Sequence, residues 1–160
     1  MKLKRASTLF LRGVIVLIAI GVLAAMIRFP QTEGRAAHLD LVSIYTDPLI
    51  IYGYIASIPF FIALYQAFKL LGYVDHNQVF SQPAVNAVRT IKYCAITTSG
   101  FIVLGILYIR LCAHGDDPAG PTALGILTTF ASIVIAAGAA IFERLLQNAV
   151  EIKSENDLTV

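Results

Sequence analysis

The residues with the strongest claim to chemistry are two histidines and three aspartates: His38, Asp40, His114, Asp116 and Asp117. Imidazole combined with carboxylate suits a divalent metal. Here the five fall in two separate polar connections with no tight spacing between them, so they read as solvated loop side chains and no metal site is expected. The patterns GxSxG, HExxH, CxxC and the Walker loop are all missing from the chain. The usual signatures for acyl transfer, zinc hydrolysis, dithiol exchange and phosphate cradling are therefore absent. Thr97, Thr98 and Ser99 stand together before Gly100 inside an apolar run. Hydroxyls in such a run bond to the carbonyl one turn back or to a neighbouring helix, which makes them packing devices. No acidic or basic side chain lies deep within an apolar run, where a proton relay or ion pathway would need one. These residues describe a non-enzyme that needs no cofactor.

The elements that carry these residues are set by the solvent they must face. Of 160 residues, 58% are apolar and 14% charged, and the mean hydropathy is +0.76. A soluble domain carries roughly 45–50% apolar and about 25% charged residues, so that class is excluded. The stretch from Pro48 to Phe68, PLIIYGYIASIPFFIALYQAF, contains no Asp, Glu, Lys, Arg or His. At about 1.5 Å per residue its ~21 residues cross a ~30 Å hydrocarbon core. Apolar side chains occupy every face, where a soluble helix would keep a polar one.

Three further runs have the same character. The chain is read as one all-α membrane domain, an up-and-down bundle of four transmembrane helices at about residues 9–29, 48–71, 93–112 and 122–142, with a tail helix at about 143–153. The basic start MKLKRAS followed by an apolar run is shared with signal peptides. The run from Leu9 to Phe29 is long for one if Arg12 snorkels to the interface, which favours an uncleaved first span. Thr32, Glu33, Ala36, Leu39, Leu41 and Val42 allow a short surface helix in the first connection. Pro59 removes a backbone hydrogen bond near the middle of the second span and predicts a kink. Cys94 and Cys112 fall on one predicted helix about 27 Å apart, far beyond the ~7 Å between bridged Cα atoms.

Basic residues are distributed unevenly. Lys2, Lys4, Arg5, Arg12, Lys69, Arg89, Lys92, Arg144 and Lys153 belong to the N-terminus, the second connection and the tail; Arg28, Arg35 and Arg110 belong to the other side. Lys and Arg concentrate on the cytoplasmic side, so both termini are expected in the cytoplasm and the protein in the inner membrane. Trp is absent, and Tyr takes the interfacial belt, with Tyr45, Tyr52 and Tyr108 at the outer boundary and Tyr73 and Tyr93 at the inner one.

The two cytoplasmic stretches have a recognisable form. VFSQPAVNAVRTIKYCAI, before the third span, and IFERLLQNAVEIKSENDLTV, at the end, resemble the bacterial membrane-protein family called domain of unknown function 2975. Phe80, Ser81, Arg89 and Ile91 match its Phe-Ser helix opening with a basic residue and an Ile. Glu155, Asn156, Asp157, Leu158 and Thr159 match its closing stretch. The resemblance implies four membrane helices and frequent genetic association with small helix-turn-helix regulators. It implies no catalytic residues.

Pro83 is placed to open an amphipathic foot, capped by Ser81 or Gln82, on which Ala84, Val88, Ile91 and Ala95 share one face and Asn86, Arg89 and Thr90 point away. Phe142, Leu145, Leu146, Ala149 and Val150 follow the same period on the tail helix, with Glu143 and Arg144 on its other face. The two stripes are predicted to meet. The candidate partner-docking residues are Ala84, Val88, Arg89, Ile91, Leu145, Leu146, Ala149, Asn156, Asp157 and Leu158. The expected partners are membrane lipid, a cytoplasmic regulatory protein and a further copy in a homo-oligomer, with no direct contact to nucleic acid. The leading function class is a membrane module that binds or regulates such a partner; the alternative is a small transport or channel subunit active as an oligomer.

Overall fold

A computed structural model describes residues 2–32, 44–112 and 119–158. Four long helices occupy these residues: α1 (Lys2–Thr32), α2 (Pro48–Asp75), α3 (Gln82–Cys112) and α4 (Ala119–Leu158). All four are long and apolar enough to cross a membrane, and their apolar windows are almost entirely uncovered by protein. The expected surface helix in the first connection lies mostly outside the described residues.

The starts of α2 and α3 have local causes. The Asp47 carboxylate accepts a 2.7 Å bond from the Leu49 amide, and Pro48 occupies the first turn, where its missing N–H costs nothing. α2 runs on as helix past Pro59, which is buried. Its ring nitrogen has no proton for the Ile55 carbonyl. At the far end Asn77 takes a left-handed conformation, φ 55°, which Asn tolerates better than most residues. The Ser81 carbonyl then accepts from the amides of Ala84 and Val85, so α3 begins just past Ser81, with Pro83 in its first turn. The turn over residues 76–81 is short, so α2 and α3 lie side by side and antiparallel.

Four pairwise contacts fix the up-and-down order of the first three helices. Arg12 near the start of α1 pairs with Asp75 at the end of α2, at 2.9 Å. Tyr54 in the first half of α2 donates to the Met26 carbonyl, and Tyr45 just before α2 donates to that of Ile27. Tyr52 of α2 donates to the Phe101 carbonyl of α3 at 2.6 Å and meets the Phe101 ring edge-on at 5.9 Å. Packing is closest between α3 and α4, looser between α2 and α3, and loosest between α1 and α2. Among the described residues, no other helix pair makes more than an incidental contact, so the helices form a row in sequence order.

Small residues permit the closest approach. Ala95 on α3 and Ala136 on α4 are buried. A Cβ on Gly125 of α4 would stand 2.6 Å from Ile106 Cδ1 and 2.8 Å from Ile106 Cγ1 on α3. Without a hydrophobic drive between helices in lipid, such close packing supplies much of their association. The hydroxyls within the third span stay on their own helix: Thr97 Oγ1 donates to the Tyr93 carbonyl and Ser99 Oγ to that of Ile96. Cys94 and Cys112 lie on the one helix α3, too far apart to bridge.

Gly125→Leu is expected to destabilise the α3–α4 pair by about 1–3 kcal/mol through overpacking. Gly138, whose added Cβ would meet nothing, should accept Ala with unchanged or raised stability. Thermal unfolding of both variants in one detergent checks the contrast.

Candidate functional site

The apolar core of the described chain lies at the end of the row that carries both termini. α4 is 40 residues long, or ~60 Å at 1.5 Å per residue, about twice the hydrocarbon thickness. Its C-terminal part therefore extends past the membrane, beside the first three turns of α3. There Val85, Val88 and Leu146 form a buried cluster, with Leu70, Val79, Ala139 and Val150 packed around it. Ala84 and Ala87 on the same stretch of α3 are buried as well.

Glu143 ties the two helices together at this level. Its carboxylate accepts from Arg89 Nε and from Lys92 Nζ, each at 2.6 Å. The Glu143 side chain is 13% exposed, Lys92 20% and Arg89 47%. The bonds from Lys92 and then Arg89 hold the Glu143 carboxyl below the usual carboxylate range, and the bond to Glu143 raises the Arg89 guanidinium. Lys92 also sits 4.7 Å over the Tyr93 ring. The arrangement can lock the angle between α3 and α4. It offers no nucleophile beside a base, and among the described residues no cluster of His, Cys, Asp and Glu could hold a metal. His38, Asp40, His114, Asp116 and Asp117 lie outside the described residues.

The predicted stripes need a correction. Val88 on α3 does meet Leu146 of α4, Ala84 is buried, and Ile91 is half-buried. On α4, however, Phe142 and Leu145 are 58% and 60% exposed. The apolar positions of the tail belong to two faces. Ala139, Leu146 and Val150 point at α3 together with Glu143, whereas Phe142, Leu145, Ala149, Ile152 and Asn156 follow each other at helical spacing on the outer face. Glu143 and Arg89, assigned to outward faces from the sequence, meet each other across the interface. Val85, Ala87 and Ile152 escaped the sequence reading. Val85 could have been found from Arg89 and Lys92, which share a face with it and need a common carboxylate.

The outer face borders a shallow groove lined by Phe80, Ala149, Ile152, Lys153 and Asn156. Phe80 comes from the turn before α3, so the groove exists only because α3 and α4 are held together. Leu145 lies one turn up the same face. The side chains of Asp157 and Leu158 are outside the described residues.

A row of four membrane-crossing helices with one polar-locked end is an integral membrane protein without a formed catalytic site among the described residues. The chain belongs to the family described as a protein of unknown function, DUF2975, which matches residues 30–160. It is also 46% identical over 160 residues, 99% of this chain and 100% of the relative, to the uncharacterized membrane protein YoaS of Bacillus subtilis (strain 168). No solved structure matches the chain.

The lowered Glu143 carboxyl sets a sign for pH. A group depressed in the folded state contributes stability above its unfolded pKa and loses it as pH falls through the folded value. The melting temperature should therefore fall on acidification into and below the usual carboxylate range, by a smaller step in Glu143→Gln. At neutral pH, Glu143→Gln should lower the melting temperature, and adding Lys92→Gln to it should cost less than Lys92→Gln does alone. Melting curves of the variants across pH test both.

Proposed function

We propose that the protein is a non-enzymatic module of the bacterial inner membrane, with both termini in the cytoplasm, whose α3–α4 platform docks a cytoplasmic regulatory protein. The observation that carries this reading is the exposed outer face of α4 beside Phe80. Large apolar side chains left in water forgo about 1.5–3 kcal/mol each, and Ile152 stands about three turns past the end of the fourth apolar run. An extension built only to stabilise the bundle would need the inner face alone. The partner in this reading is a small helix-turn-helix regulator offering an apolar surface, as the family resemblance implies. The orientation follows from the basic residues, which gather at the platform end.

The competing reading is an oligomeric transport or channel subunit, favoured by the open row of helices, which leaves α1 and α4 without a shared interface. A photo-crosslinking residue at Ile152, used in native membranes, separates the two. The docking reading expects a crosslink to a helix-turn-helix regulator that is lost in Leu145→Asp, a change at an exposed position that leaves the buried cluster intact. Deleting residues 158–160 should weaken the crosslink without affecting insertion. Crosslinks only to a second copy, or recovery of the regulator unchanged by Leu145→Asp, would contradict docking on this face. The orientation is checked separately. In a chain with both native cysteines replaced, Lys153→Cys should react with an impermeant maleimide only after the membrane is opened.

A further inference from the structure

A second feature, independent of the docking reading, lies between α1 and α2. Arg12, Phe68, Lys69, Gly72, Tyr73, His76 and Gln78 line a cleft there. Arg12 immediately precedes the apolar run of α1, and Lys69 immediately follows the apolar run of α2. The two cations therefore sit at one level, where hydrocarbon gives way to headgroups. Of the two, only Arg12 has a carboxylate partner among the described residues. Asp75 takes Arg12 Nη2 at 2.9 Å, while Arg12 Nε is buried without a hydrogen-bond partner. Lys69 has no carboxylate partner among the described residues and rests only on the Tyr65 ring, 6.0 Å away. His76 Nδ1 is engaged by the Gly72 carbonyl at 2.8 Å, which leaves its Nε2 uncommitted.

The cleft thus has surplus positive charge, donors of several kinds and an apolar wall. Phe68 provides that wall, stacked 5.3 Å from the Arg12 guanidinium and 38% exposed. Basic pockets between membrane helices at this depth suit phosphate headgroups. The backbone approaches closely too, since a Cβ on Gly72 would stand 3.4 Å from Arg12 Nη2.

We propose that the α1–α2 cleft is a binding site for a phosphate group, held by Lys69 and Arg12 with Asp75 fixing the guanidinium. The phosphate comes either from the headgroup of an anionic phospholipid or from a free phosphate ion. The uncovered apolar side chains of Leu9 and Phe10 on α1 give a lipid's acyl chains a surface that a free ion does not use.

The test uses the full-length protein in phosphatidylcholine nanodiscs, with phosphatidylglycerol or with inorganic phosphate added, and native mass spectrometry to count retained ligand. Near a membrane surface each cation contributes about 1 kcal/mol to anion attraction, so Lys69→Gln should weaken retention about five-fold. Lys69→Gln leaves the Arg12–Asp75 pair intact and is expected to fold. Arg144→Gln, an exposed cation at the same end, should bind as the wild type does. Loss of phosphatidylglycerol alone assigns the lipid as source, and loss of inorganic phosphate assigns the free ion. Equal retention in Lys69→Gln and wild type, or an equal loss in Arg144→Gln, would overturn the site.

Discussion

Apolar helices in lipid gain nothing from hiding their side chains from water, because there is no water to hide from. Association within the membrane must come from close backbone approach and from polar bonds between helices. That constraint explains where the described chain has a core and where it has none. Along the spans, large residues such as Leu17, Leu104, Phe130 and Ile135 stay uncovered, and contacts concentrate at Gly125, at Gly105 under the Tyr52 ring and at the Tyr54–Met26 bond. At the end that re-enters water the hydrophobic effect returns. There Val85, Val88 and Leu146 close into a buried cluster.

Glu143 is placed where these two regimes meet. It stands one turn before the buried Leu146 on α4 and answers two cations one turn apart on α3. A partly buried carboxylate with one cation would carry a desolvation cost that is hard to offset; two hydrogen-bonded cations satisfy more of its lone pairs. The pair therefore sets the register between the two helices as well as joining them. Register matters because the groove is shared. Phe80 belongs to the turn that starts α3, and Ile152 and Asn156 belong to α4, so a slip of one turn would separate them.

Much of the architecture was legible beforehand, because the signal for a span is long and redundant. Pro48 to Phe68 without a charge can hardly be anything else, and Ser81-Gln82-Pro83 marks a helix start by known local chemistry. The platform was legible only in outline. The tail repeats apolar residues on two adjacent faces, so Phe142 and Leu145 fit the same periodic pattern as Leu146 and Val150. Periodicity tells that a face is apolar, not which neighbour covers it. Charge misled for a related reason: Glu143 and Arg89 look like solvated side chains until their partners on another helix are known. The Arg12–Asp75 pair, 63 positions apart in the chain, had no local signature at all.

The central claim is that the start of α3 and the extension of α4 form a rigid platform whether or not a partner is present. Amide hydrogen exchange on the purified protein in nanodiscs addresses it directly, since protection reports local opening free energy. The account predicts strong protection over residues 84–92 and 139–150, with both segments losing it together in Glu143→Gln. Rapid exchange through 84–92 and 143–150 in the wild type, as in a frayed helix end, would contradict it.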